Sequence, residues 1–158
     1  MCDELDILKK EILKLSNNNA SKICIFGTGA YGNKLYYDLN SKLINIDYFS
    51  DNDSNKWGYM FDNIRCISPK ELEEEKDKIL IIVSMQSSTE VIRQLKQRGF
   101  KYIVNNETIY NILHNIRLNN LELEGILEID YSSKTVIGLI SKVNEIIVDI
   151  YKYYNSQI

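Results

Sequence analysis

The sequence holds one histidine, three cysteines and no excess of basic residues, and each shortage removes a class of function. Lys+Arg number 19 against Asp+Glu 22, for a formal net charge of −3. The two signs are mixed along the chain, and the basic stripe that neutralises a nucleic-acid backbone is missing. No nucleic acid is expected as a partner. Cys2, Cys24 and Cys66 are odd in number and far apart. That suits neither a disulfide framework nor the paired C-x-x-C ligands of a small metal site, so no metal is expected. Cys24 lies in an apolar run and Cys66 in a short strand-like one, and both read as small buried hydrophobes. No apolar run approaches the ~20 residues of a membrane span. The acidic start, Met1 to Asp6, lacks the basic-then-apolar layout of a secretory signal, and the chain reads as cytoplasmic.

What is present is the material of one soluble domain. The 158 residues are 44% hydrophobic and 26% charged, enough to bury a core without staples. A single domain over 1–158 is expected, with an N-terminal helix in 1–19, a Rossmann-like core in 22–104 and a helical extension in 106–158.

The order of elements follows from periodicity. Leu5, Leu8, Ile12 and Leu15 recur at helical spacing, and the run Ser16 to Asn19 then favours a turn. Lys22 to Phe26 reads as a strand buried on both faces and runs straight into glycines. A helix is expected over Tyr31 to Leu43, with Leu35, Leu39 and Leu43 inward. A strand follows over Ile44 to Ser50, and the acidic loop Asp51 to Asp53 ends it. Ser54 to Asn63 reads as a loop, and Ile64 to Ile67 as a short strand. Ser68, Pro69 and Glu71 form an N-cap, first-turn proline and capping-box signature. Ile79 to Val83 is a fully apolar strand. A helix carrying Val91, Ile92 and Leu95 ends at Gly99, and Phe100 to Val104 is a last strand. Strands alternate with helical crossovers, which predicts an α/β fold: a doubly wound parallel sheet of about five strands, with flanking terminal helices. Beyond it, Thr108 to Arg117 reads as helix. Leu121 to Ile129 suits strand or helix, and a long final helix carries Val136, Ile140, Val143, Ile147, Ile150 and Tyr154 on one face.

The segment Gly27, Thr28, Gly29, Ala30, Tyr31, Gly32 is an intact G-x-G-x-x-G placed between a buried strand and a helix. The first glycine permits the sharp turn, the second lets a pyrophosphate approach the backbone, and the third lets helix and strand pack closely. Unpaired N–H groups at the helix start face the anion with the positive end of the helix dipole. Asp51 ends the second strand, 24 residues after Gly27. Two roles are open to it: accepting hydrogen bonds from a ribose and repelling the extra phosphate of NADP, or forming a solvated turn. Asn52 and Asp53 are neighbouring candidates for ribose or base. On the same rim, Ser84 and Gln86 are candidates for ribose, phosphate or sugar, while Ser87 or Ser88 suits the N-cap of the next helix. Trp57 either stacks on a ligand or pins its loop. The expected ligand is a nucleotide, with a UDP-sugar or NAD as the cofactor candidates.

Four segments carry a family resemblance: Ile25 to Gly32, Asp51 to Asp53, Lys56 to Gly58 and Ile67 to Leu72. Together they resemble small Rossmann-like domains of bacterial polysaccharide and nucleotide-sugar pathways. Similar layouts occur in the N-terminal domain of sugar acetyltransferases, in the C-terminal domain of sugar C-methyltransferases and beside glycosyltransferases. The resemblance covers roughly 22–104. It implies that Gly27, Gly29 and Gly32, with Asp51 and Asn52, hold a UDP-sugar. These 158 residues carry neither the hexapeptide repeats of the acetyltransferases nor a methyltransferase domain, so the chemistry of those relatives is not expected to transfer.

No catalytic constellation stands out. The Tyr-x-x-x-Lys spacing of many nicotinamide enzymes occurs at none of the eleven tyrosines, and His114 is isolated on a helix. Three functions follow. The leading one is a nucleotide- or nucleotide-sugar-binding module accessory to glycan assembly. The others are an NAD-dependent oxidoreductase or epimerase, and a ligand-free scaffold that forms a homodimer through its terminal helices.

Overall fold

The computed structural model describes residues 4–123, with side chains as far as Leu118. Helix α1 (Glu4–Lys14) precedes β1 (Lys22–Phe26), α2 (Ala30–Asn40) and β2 (Tyr48–Ser50). The hairpin β3 (Met60–Phe61) and β4 (Ile64–Ile67) leads to α3 (Pro69–Leu72), β5 (Ile79–Val83) and α4 (Thr89–Gln97). Strand β6 (Tyr102–Asn105) runs directly into α5 (Asn106–Leu123). The expected final helix, and the part of the Leu121 to Ile129 run beyond Leu123, lie outside the described residues.

The strands form one sheet in the order β3-β4-β2-β1-β5-β6. All neighbours are parallel except β3 and β4. Side-chain alternation divides the core in two. Ile25, Leu80 and Ile82 face α1, α2 and α5, where they pack with Leu8, Ile12, Leu35, Leu39, Ile109 and Ile116. Cys24, Phe26, Ile79, Ile81 and Val83 face α3 and α4, meeting Leu72 and Leu95. A sheet covered on both faces needs continuous apolar strands, and β5 is buried at all five positions. The apolar face of α1 is covered by this same core, since Leu8 and Ile12 are buried in it.

Strands β1 and β5 match their sequence expectations residue for residue, and the other differences have local causes. The second strand was expected from Ile44, yet regular pairing starts at Tyr48 opposite Cys24. Just before it, the Asp47 N–H still donates to Ile23 O at 2.9 Å, but the Ile23 N–H donates to the Asp47 carboxylate at 2.8 Å, so a side chain takes the place of one ladder acceptor. Leu43 is not on the inner face of α2. The Ile44 N–H donates to Leu39 O and the Leu43 N–H to Asn40 O, a Schellman closure with Leu43 in the left-handed position. Leu43 has φ 57 and is 73% exposed. A sixth strand, β3, lies where the sequence suggested only loop. Asp62 (φ 48) and Asn63 (φ 67) form its two-residue turn, and paired positive φ values mark the hairpin type that tolerates Asp and Asn. The Tyr36 hydroxyl donates to Asp62 Oδ2 at 2.7 Å and ties this hairpin to α2. The capping box at α3 is present as expected. Ser68 Oγ accepts the Glu71 N–H at 3.1 Å, and Glu71 Oε2 accepts the Ser68 N–H at 2.9 Å.

Candidate functional site

Strand β1 leads outward through β2 to β4 on one side, while β5 and β6 lie on its other side. The crevice beyond the carboxyl ends of β1 and β5 is therefore the switch point at which open α/β sheets bind ligands. Gly27 sits in it with φ +106, and its N–H donates to Ser50 O at 2.8 Å. A Cβ on Gly27 would lie 2.7 Å from the Ser84 carbonyl oxygen, and one on Gly32 would lie 1.8 Å from the Gly27 carbonyl oxygen. Both glycines are thus required by close backbone approach. Gly29 differs. Its φ is −78, and a Cβ there meets nothing within 4 Å. Two glycines close the turn, and the middle one faces open space.

Gly29 is the N-cap of α2 and offers no capping side chain; no acidic residue occupies the first helical turn. Among the described residues, the N–H groups of Gly29, Ala30, Tyr31 and Gly32 donate to no acceptor. The first N–H groups of any helix lack intrahelical partners, and side chains or anions commonly satisfy them. Ala30 and Tyr31 are exposed beside Gly29.

Thr28 is held from the other direction. Its N–H and its Oγ1 donate to Asp51 Oδ2 at 2.9 and 2.7 Å. Lys56 Nζ donates to the same oxygen at 2.9 Å, and the Asp53 N–H donates to Asp51 Oδ1 at 3.0 Å. Burial alone would raise the Asp51 carboxyl. The hydrogen bonds from Asp53, Lys56 and Thr28 outweigh it and hold its pKa down to about 2. The Trp57 indole N–H donates to the Asp51 carbonyl at 2.7 Å, so Trp57 pins its loop. Lys56 is the member of this cluster to which sequence reasoning gave no role. It reaches Asp51 across a short 3-10 turn at Ser54–Lys56, and no periodic signal marks such a contact.

The remaining candidates line the rim. Asn52 is exposed and its Nδ2 donates to Gln94 Oε1 at 3.3 Å, linking the loop after β2 to α4. Gln86 is exposed. Ser84 is only 2% exposed, and its Oγ has no hydrogen-bond partner among the described residues. Ser88 is the N-cap of α4, without a side-chain hydrogen bond. His114 is exposed on α5. Cys24 and Cys66 are fully buried, and burial pushes the Cys66 thiol up to about 11. A protonated, enclosed thiol is a poor nucleophile. Among the described residues no group of His, Cys, Asp and Glu is placed to hold a metal ion, and no helix is long and apolar enough to cross a membrane.

A hollow of about 230 Å³ opens at the opposite end of the sheet, lined in part by Ile12, Ser16, Lys22, Ile44, Asn45 and Asp47. Its polar groups are mostly engaged already. Ser16 Oγ donates to Leu13 O and accepts the Ala20 N–H, Lys22 pairs with Glu75, and Asp47 accepts from Ile23 and Asn45. Free hydrogen-bonding capacity therefore favours the glycine turn.

No curated protein matches the sequence. Several solved structures resemble the chain. RSP, a Rex-family repressor, is 15% identical over 78% of this chain and 70% of its own, with a TM-score of 0.45. UDP-D-quinovosamine 4-dehydrogenase from Vibrio fischeri is 20% identical over 58% of this chain and 84% of its own, at 0.43. Shikimate dehydrogenase from Thermotoga maritima is 12% identical over 78% and 59%, at 0.39. A family model described as C2185-like, N-terminal, matches residues 19–104, more than half of the sequence and the whole stretch from β1 into β6. By that match the chain belongs to the C2185-like, N-terminal family.

Proposed function

We propose that this chain is a nucleotide-binding module that holds the diphosphate of a nucleotide or nucleotide-sugar against the start of α2. The observation that carries the reading is the row of N–H groups from Gly29 to Gly32, which donate to no acceptor among the described residues. They lie at the positive end of a helix, where a diphosphate supplies both acceptors and negative charge. The open space beside Gly29 supports close approach of the phosphates. The buried Ser84 hydroxyl has no partner among the described residues and belongs to a residue whose backbone carbonyl adjoins Gly27, which makes it a further candidate donor for the ligand. Gln86 and Asn52, both exposed on the same rim, are candidates for the nucleoside or sugar. The resemblance of four segments to domains of bacterial polysaccharide pathways supports a cytoplasmic, accessory role in glycan assembly, with a UDP-sugar as the favoured ligand.

Thermal-shift screening with UDP, UDP-sugars, NAD and NADP tests the reading, because a ligand that binds the folded state alone raises the melting temperature by mass action. A UDP-sugar or UDP is expected to give the largest shift, and Gly29→Asp is expected to remove it by placing a carboxylate where phosphate must lie. The backbone at Gly29 admits a side chain without clash, so lost binding in this variant does not report misfolding. Equal shifts in wild type and Gly29→Asp would overturn the assignment to this turn.

A further inference from the structure

Resting on the reading of the turn as a diphosphate site, we propose that Asp51 is a positioning residue that shapes the phosphate cradle through Thr28, and that it does not accept the ribose of the ligand. A carboxylate offers about four acceptor sites. Thr28 N–H and Oγ1 and Lys56 Nζ together occupy Oδ2, and the Asp53 N–H takes one of the two sites on Oδ1, which leaves one. A ribose diol has two hydroxyls to place on a carboxylate, and this one has no free pair of sites for them. Its side chain is only 14% exposed, with its oxygens turned to protein donors.

What Asp51 does hold is the residue between the first two glycines. Thr28 is buried, and both of its donors end on one carboxylate oxygen. Fixing Thr28 fixes the direction in which the N–H groups from Gly29 onward point. A bare carboxylate beside a diphosphate would repel it, and Lys56 removes that repulsion by pairing with Asp51 at 2.9 Å. Trp57 keeps the Lys56 loop in place through the Asp51 carbonyl. Aspartate, lysine, threonine and tryptophan thus make one brace behind the turn. The nucleoside is then read by exposed rim groups such as Asn52 and Gln86.

Calorimetric titration of the full chain with ADP, 2′-deoxy-ADP, UDP and 2′-deoxy-UDP separates the roles. Asp51→Asn is expected to weaken both members of each pair by about tenfold, the cost of losing charge-assisted hydrogen bonds. The preference between ribose and deoxyribose should stay within about twofold of wild type, because the two effects are independent. Thr28→Val, which removes the hydroxyl donor at nearly constant volume, should give a parallel loss, and Thr28→Ser should restore binding. The Thr28 pair carries the test if Asp51→Asn fails to fold. A ribose preference that vanishes in Asp51→Asn, with Thr28→Val binding as wild type, would overturn the proposal while leaving the diphosphate site intact. Failure of all four compounds to bind wild type would instead strike down the site itself, and the brace as its positioning device with it.

Discussion

The two ends of β1 make opposite use of similar materials. At the amino end a hollow of about 230 Å³ is lined by serine, lysine, aspartate and asparagine, and most of these side chains bond to the protein itself. At the carboxyl end the brace around Asp51 is equally self-satisfied, but the backbone it supports is not. Among the described residues, the donors at the start of α2 remain unspent. Donors left over after folding make the carboxyl end the candidate for an anion.

The strongest way to break the comparison is to close the turn. Gly32→Ala would place Cβ 1.8 Å from a backbone carbonyl that cannot swing aside. A loss of about 4 kcal/mol or more is expected in chemical denaturation, the scale of severe core overpacking. Acid comes next. The Asp51 carboxyl titrates at about 2 in the folded chain, below its unfolded value. It therefore contributes stability that is complete above about pH 4 and is lost as pH falls toward 2. About 2 kcal/mol of acid sensitivity should disappear in Asp51→Asn when melting is followed over that range.

The amino end offers the matching control. Ser16 Oγ is buried and both donates and accepts, so Ser16→Ala should cost about 1–2 kcal/mol and leave nucleotide shifts untouched. Any effect on binding would show that the two ends are coupled. Leu43→Gly relieves a left-handed residue that is also exposed, and a gain of about 0.5–1 kcal/mol is expected in the same denaturation assay. The smallest effect has an instructive sign. Gly29→Asp supplies the missing N-cap side chain and should stabilise the ligand-free chain by a few tenths of a kcal/mol, up to about 1, although it is the variant expected to abolish binding.

The parts legible in the sequence are those encoded at short range. Lys22 to Phe26 and Ile79 to Val83 announce themselves as apolar runs. Ser68, Pro69 and Glu71 form a cap within four residues, and the glycine turn is a six-residue pattern between a strand and a helix. Features that carry no periodic signal of their own were hidden. The hairpin strand Met60–Phe61 has only two residues and takes its identity from its partner, although the Asp62-Asn63 turn is a signal in hindsight. Leu43 continues the helical spacing of Leu35 and Leu39, but the chain turns at that point, and spacing does not record φ. The position of Asp51 beside the turn follows from its place at the end of β2, whereas its saturation by Thr28 and Lys56 depends on side-chain geometry that no pattern encodes.

Backbone amide NMR during titration with UDP-sugar, NAD and inorganic pyrophosphate addresses the central claim at the atoms concerned. The amide resonances of Gly29, Ala30, Tyr31 and Gly32 are expected to move together and saturate, with those of Ser21 and Asn45 at the far end unmoved. Shifts confined to Ser21, Asn45 and their neighbours, with the four glycine-turn amides still, would contradict it.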